Sequence, residues 1–251
     1  MNRAMPSQPS AVFVHGFIGS FETAAYDAPH FAPDLLGYGE HREVPFERIS
    51  LPAQVEHLRA CLDARPELDV VDLVGHSVGG AIAMLFAATY PERVRRIVNI
   101  EGNFTLDDAF WSASVGRMTP VEAETMLAGF RADPARWLGG AIAKVTPGLA
   151  HVADCWLDAQ PASTLRAMGR SVVEITGDDA YLERLHEVVE RHPVYLLAGE
   201  RSRGGWNVPE WALEGCVGYE VLRDCGHLPM LEQPEAFTAS LRRFLLHPDK
   251  P

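Results

Sequence analysis

Ser77 is the centre of Gly75-His76-Ser77-Val78-Gly79. A serine between two glycines can be a nucleophile if the chain turns sharply enough to present its hydroxyl. G-x-S-x-G alone is a weak pattern, because glycine and serine are common. Its surroundings make it specific. Leu68-Asp69-Val70-Val71-Asp72-Leu73-Val74 before it is rich in β-branched residues, and Gly80-Ala81-Ile82-Ala83-Met84-Leu85-Phe86-Ala87-Ala88 after it in helix formers. A strand-to-helix turn this tight needs glycines on both sides and strains its central residue. It also sets the hydroxyl above a helix N-terminus, whose positive dipole end favours developing negative charge. The bland alternative is a glycine-rich turn holding a buried structural serine.

The elements that must position Ser77 alternate between strand and helix patterns. Ala11-Val12-Phe13-Val14 is a short buried strand ending at His15-Gly16. Phe31-Ala32-Pro33-Asp34-Leu35 predicts a second strand, followed by the loop Gly37-Tyr38-Gly39. Leu51, Val55, Leu58 and Leu62 have helical spacing within 51–64. The helix after Ser77 is stopped by Pro91, and Val94 to Ile100 is a strand ending at Glu101-Gly102-Asn103. From Phe104 to about Arg191 the pattern is helical, punctuated by Pro120, Pro134, Pro147 and Pro161; Val172-Val173-Glu174-Ile175 is its one strand-like stretch. A helix over 178–191 rejoins the core. Val194 to Ala198 and Tyr219 to Leu222 are strands, and Pro234 to Leu246 is a closing helix.

Such alternation predicts an α/β fold, a doubly wound, mainly parallel sheet. We divide the chain into a core of 1–103 and 176–251 and an inserted helical cap of 104–175. Ligands bind such sheets beyond the carboxyl ends of the strands. His15, Asp34, Ser77, Glu101 and Gly199 all fall there, which marks them as one site.

Composition narrows the function. A chain of 251 residues with 47% hydrophobic residues suits one globular α/β domain. A formal charge of −12 argues against nucleic acid and anionic membrane as partners and leaves a small molecule as the expected one. The ten histidines show no metal-ligand spacing, so neither a metal nor a metal cofactor is expected. Cys61, Cys155, Cys216 and Cys225 are far apart, the polar stretch Met1 to Ser10 has no apolar core, and no apolar run has membrane-spanning length. A reducing, cytoplasmic setting follows as the default expectation.

Four pieces in order carry a resemblance: Val14-His15-Gly16-Phe17, Asp34-Leu35-Leu36-Gly37-Tyr38-Gly39, Gly75-His76-Ser77-Val78-Gly79-Gly80, and Cys225-Gly226-His227-Leu228-Pro229-Met230-Leu231-Glu232-Gln233-Pro234-Glu235. Together they resemble the α/β-hydrolase superfamily from Val12 to Phe244, the cap apart. One departure is that only about ten residues precede the first strand, so the antiparallel pair that opens most members is expected to be missing. The resemblance implies no cofactor. It makes His227 the base for Ser77 and the backbone N–H groups of Val78 and Phe17 the oxyanion donors.

The acid of the triad departs from the family pattern. The usual position, three residues after Gly199, is Ser202 in Gly199-Glu200-Arg201-Ser202. A serine cannot stabilise an imidazolium as a carboxylate does. Some members of the superfamily take the acid from the strand after the nucleophile helix, and Glu101 stands at the end of that strand here. Glu101 is therefore the first choice, with Glu200 second and the absence of an acid third; Asp224 is too close to His227 along the loop. Arg201 and Arg203 flank the vacant position and could pair with Glu200 or Glu101, or bind a substrate carboxylate. Phe104, Phe110, Trp111, Trp137, Trp156 and Trp206 are candidates for an apolar pocket or for cap–core packing.

The leading functional expectation is a serine hydrolase cleaving a carboxylic ester, lactone or thioester through an acyl-enzyme. His15-Gly16-Phe17-Ile18-Gly19-Ser20 also resembles the opening of the menaquinone-pathway cyclohexadiene carboxylate synthase, which makes C–C lyase or hydrolase chemistry the first alternative. A non-catalytic small-molecule receptor on the same fold is the second.

Overall fold

The computed structural model describes residues 10–246. Its strands are β1 (Ala11–Val14), β2 (His30–Phe31), β3 (Val71–His76), β4 (Val94–Ile100), β5 (Val194–Gly199) and β6 (Gly218–Leu222). They form one sheet in the order β2-β1-β3-β4-β5-β6, every neighbouring pair parallel. Among the described residues the sheet has no antiparallel strand. Most of the polar N-terminal stretch, 1–9, lies outside those residues. The chain leaves β1 toward β2 and returns on its other side to β3, so the switch point lies between β1 and β3, where ligands bind such sheets.

The second strand is shorter than Phe31–Leu35. Pro33 has no N–H to give a ladder, and the chain turns away after Phe31. Asp34 then braces the turn: its Oδ2 accepts from the Glu40 N–H at 3.0 Å, and its carbonyl accepts from His57 Nε2 at 3.0 Å. β3 begins three residues later than its β-branched run, because Pro66–Leu68 form a short 3₁₀ turn, and it continues through Gly75-His76.

The helices are α1 (Leu51–Asp63), α2 (Val78–Thr89), α3 (Phe110–Gly116), α4 (Pro120–Ala132), α5 (Pro134–Leu138), α6 (Pro147–Asp158), α7 (Ala162–Thr176), α8 (Asp179–Arg191), α9 (Glu210–Gly215), α10 (Pro229–Glu232) and α11 (Pro234–Leu245). In α1, Ser50 caps the N-terminus by accepting from the Ala53 N–H at 3.2 Å, and Leu51, Val55, Leu58 and Leu62 are buried as their spacing predicts. α2 has no polar face: every residue from Val78 to Ala87 is buried, because α2 packs on β3 and β4 and against α1 and α8.

Prolines that look like breakers prove to be starters. Pro120, Pro134 and Pro147 occupy first helical positions, where the missing N–H costs nothing. Thr119 adds a capping box with Glu122. The strand-like Val172–Ile175 lies inside α7 instead. Leu165, Met168 and Val172 are buried at helical spacing, and this longer period overrides a four-residue run of β-formers. α7 packs on α3 where Gly116 meets Gly169; a Cβ on Gly169 would lie 2.3 Å from the Ser112 carbonyl.

One charged cluster sits in the sheet. The Asp72 side chain is 2% exposed and pairs with Arg95 and with Arg96, which is 1% exposed. Arg96 Nη1 also donates to the Phe244 carbonyl at 2.7 Å, tying β4 to the end of α11.

Candidate active site

Three non-glycine residues among those described have positive φ: Ser77 (53°), Glu101 (44°) and Asp224 (52°). Ser77 follows β3, Glu101 follows β4, and Asp224 opens the loop that carries His227. Such conformations cost about 1–3 kcal/mol each and persist where surrounding structure enforces them. At Ser77 the enforcement is close packing. A Cβ on Gly79 would lie 2.2 Å from the Val14 carbonyl, and one on Gly75 would lie 2.5 Å from the Gly79 carbonyl. Only glycines allow β1, β3 and α2 to approach this way. Val78 is the first residue of α2, where a backbone N–H has no intrahelical acceptor.

His227 and Glu101 meet. His227 Nδ1 lies 2.8 Å from Glu101 Oε2. The other carboxylate oxygen accepts from Gly199 N–H at 2.7 Å and from Ser202 Oγ at 2.6 Å. Burial pushes the Glu101 carboxyl up, but the hydrogen bond and charge of His227, with Ser202 and Gly199, outweigh it and hold it below the usual carboxylate range. An ionised Glu101 only accepts, so the neutral imidazole carries its proton on Nδ1 and keeps the lone pair on Nε2.

Ser202, at the position where the family pattern has an acid, is thus a donor to the Glu101 carboxylate. Glu200 is engaged elsewhere: its Oε2 accepts from the Asp224 N–H at 3.0 Å and braces the loop. Arg201 reaches neither Glu101 nor Glu200. Its Nη2 donates to both carboxylate oxygens of Glu232, at 2.7 and 2.8 Å. Glu232, given no role from sequence, also accepts from the Gly226 and Ala143 N–H groups at 2.7 Å each, so it ties the His227 loop to the segment after α5. Its place in the His227 motif is the one signal the sequence offers.

Two more histidines shape the site while staying neutral. Burial lowers the His76 pKa to about 3, helped by the nearby His227, and Nε2 donates to the His227 carbonyl at 2.8 Å. Burial lowers that of His15 to about 4. His15 Nε2 accepts from the Leu35 N–H at 3.3 Å, which places its proton on Nδ1, 2.9 Å from the Gly16 carbonyl. That carbonyl and the Phe17 N–H belong to one peptide unit and point oppositely, so His15 orients the Phe17 N–H. Tyr38 Oη donates to the Phe17 carbonyl at 2.9 Å and fixes the next peptide. Asp34, grouped with the site by its position, does not line it.

Ser77, His227 and Phe17 sit between two lobes. The first, about 320 Å³, is walled by Phe21, Trp111, Phe130, Trp137, Trp156 and Met230. The second, about 410 Å³, is walled by Glu101, Asn103, Asp108, Phe110, Ser202 and Trp206. Of the aromatic candidates, Phe104 alone lies outside both lobes, packed beside Trp206 and Trp211. Phe130 has no sequence signal beyond its helix. A hydroxyl on a strained turn, an imidazole held by a carboxylate and backbone donors at a helix start can attack and stabilise a carbonyl centre. Among the described residues no group of His, Cys, Asp or Glu could hold a metal ion, and no helix is long and apolar enough to cross a membrane. None of the four cysteines is in a disulfide.

The alpha/beta hydrolase family model matches residues 11–240, so this chain belongs to that family. It is 46% identical over 67 residues to the 2-hydroxy-6-oxo-2,4-heptadienoate hydrolase of Pseudomonas putida, a match covering 27% of this chain and 24% of that protein. It is 37% identical over 97 residues to a putative 2-succinyl-6-hydroxy-2,4-cyclohexadiene-1-carboxylate synthase of Bacillus subtilis, covering 36% and 35%. These matches span about a quarter to a third of the relatives' lengths. Among solved structures, an alpha/beta hydrolase enzyme from a Medee basin deep-sea metagenome library aligns with TM-score 0.71 at 20% identity, covering 100% of this chain and 94% of that one. At that identity the likeness concerns the fold.

Proposed function

We propose that the protein is a serine hydrolase that cleaves a carboxylic ester, lactone or thioester, with Ser77, His227 and Glu101 as its triad. The observation that carries this reading is the 2.8 Å contact of His227 Nδ1 with the buried Glu101 carboxylate, at a cavity shared with Ser77. Ser77 Oγ attacks the carbonyl carbon as His227 Nε2 takes its proton. The oxyanion is held by the Val78 and Phe17 N–H groups. The tetrahedral adduct expels the alcohol or thiol, which leaves with the proton from His227. Water, deprotonated by the same nitrogen, then attacks the acyl carbon and releases the acid and Ser77. The segment 104–175 acts as a cap whose aromatic side chains cover the bound acyl group.

Similarity to the heptadienoate hydrolase favours a second reading, hydrolysis of a carbon–carbon bond beside a ketone, which uses the same three residues. The two are separated by presenting p-nitrophenyl, lactone and thioester substrates alongside a vinylogous diketone. The ester reading predicts p-nitrophenolate release by the wild type that is absent in Ser77→Ala. Turnover of the diketone alone would overturn it.

A further inference from the structure

Glu232 follows His227 closely in the chain, in α10, and its side chain is 10% exposed. Each of its carboxylate oxygens accepts twice. Oε1 takes the Ala143 N–H and Oε2 the Gly226 N–H, both at 2.7 Å, and Arg201 Nη2 reaches the two oxygens at 2.7 and 2.8 Å. Burial pushes the carboxyl up, but the bonds from Ala143, Gly226 and Arg201 outweigh it and hold it below the usual carboxylate range. Glu232 is therefore ionised at neutral pH. An ionised carboxylate only accepts, so it can hold both backbone amides at once.

The two amides come from distant parts of the chain. Gly226 adjoins His227. Ala143 ends a strap, 139–143, that follows α5 and exposes Gly139, Gly140 and Ala143. The strap also meets the His227 loop directly: a Cβ on Gly226 would lie 2.3 Å from the Ala141 carbonyl. Gly140, Ala141 and His227 line both lobes and an outer cavity of about 420 Å³, so strap and imidazole share the walls of all three. Elsewhere the core holds the loop. The Arg201 N–H donates to the Cys225 carbonyl at 2.9 Å, and His76 Nε2 to the His227 carbonyl at 2.8 Å. Glu101 orients the imidazole ring; these backbone bonds set where the ring stands.

We propose that Glu232 is a positioning residue for the reaction: by bridging the Gly226 and Ala143 amides it fixes the backbone of His227 against the strap, so that the base stands in place only while the strap is seated. This rests on the reading of His227 as the base for Ser77. A catalytic group misplaced by about 1 Å can cost about a hundredfold in rate, so a bridge remote from the reacting atoms can govern kcat.

The test is Glu232→Gln, which has one acceptor oxygen where the carboxylate has two, so one of the two amides loses its partner. For p-nitrophenyl butanoate kcat should fall about ten- to a hundredfold while KM stays within about threefold, and phosphonylation of Ser77 by a fluorophosphonate should slow by the same factor as kcat. A tether that merely held the strap over the substrate would raise KM instead. Two readouts need no turnover. In the wild type the Ala143 amide, although on an exposed strap, should exchange slowly with deuterium, and Glu232→Gln should release it or its Gly226 counterpart. The downfield Nδ1 proton signal of His227, assigned by its loss in His227→Gln, should weaken or shift in Glu232→Gln. An unprotected Ala143 amide in the wild type overturns the proposal without any variant. So does a folded Glu232→Gln protein with kcat within about threefold of wild type, a loss confined to KM, or an unchanged His227 signal. A wild type that hydrolyses no ester and takes no phosphonate, yet shows the protected amide and a His227 signal moved by Glu232→Gln, would leave the positioning role standing and remove the hydrolase reading instead.

Discussion

Replacing Glu101 with glutamine keeps the shape of the side chain and changes what it can accept. In the native protein Oε1 takes two hydrogen bonds, from Gly199 N–H and Ser202 Oγ, and Oε2 takes one from His227 Nδ1. Two donors fixed at Oε1 force the glutamine amide to place its oxygen there and its NH2 against His227. An NH2 facing Nδ1 turns the imidazole to the tautomer with its proton on Nε2, which cannot accept the proton of Ser77. The imidazolium also loses its buried counter-charge. By the corresponding exchange in serine proteases, kcat falls about 10³–10⁴-fold, or about 4–5.5 kcal/mol of lost transition-state stabilisation. The assay is kcat for a p-nitrophenyl ester at pH 7–8, with a urea melt to establish folding. Glu200→Gln is the control, since Glu200 bonds the Asp224 backbone; its kcat should stay within about threefold of wild type. A folded Glu101→Gln protein retaining activity within tenfold, or an equal loss in Glu200→Gln, would refute the role given to Glu101.

Ser202→Ala removes one charge-assisted bond to Glu101, so kcat should fall about tenfold, less than for Glu101→Gln; no change in kcat or its pH profile would show Ser202 to be incidental. Asp72→Asn removes a buried carboxylate that pairs with Arg95 and Arg96, and a urea titration should register a loss of about 3–5 kcal/mol; a loss under 1 would contradict the burial of Asp72. His15 and His76 resist protonation when folded, with pKa values of about 4 and about 3, so the unfolded chain binds more protons below pH 6.5 and stability falls as pH falls. Asp108, pushed up to about 6 by burial, acts in the opposite sense, and together they leave unfolding at pH 5 about 2 kcal/mol easier than at pH 7. Stability that is flat or rising on acidification over that range would be inconsistent with neutral buried rings.

Hydrophobic period and turn chemistry make most of the sheet legible in the sequence. β4 lies at Val94–Ile100 as its pattern requires, and the Ser77 turn is written in its own glycines. The departures have physical causes. Val172–Ile175 has β propensity, but burial at helical spacing along a longer segment decides the outcome. Asp34 follows a strand position, yet its backbone-bracing bonds take it out of the site. Ser202 and Glu232 are illegible as partners because their roles rest on contacts across 101 and 31 residues of sequence, which no local pattern encodes.

The proposed function requires Ser77 to be an activated nucleophile. Intact mass after exposure to a fluorophosphonate tests it most directly, because the reagent needs only the nucleophile, its base and the oxyanion donors. One stoichiometric adduct is expected on the wild type, none on Ser77→Ala, and labelling slowed at least about a hundredfold in Glu101→Gln. A folded wild-type protein that takes no adduct, or one labelled equally after Ser77→Ala, would contradict it.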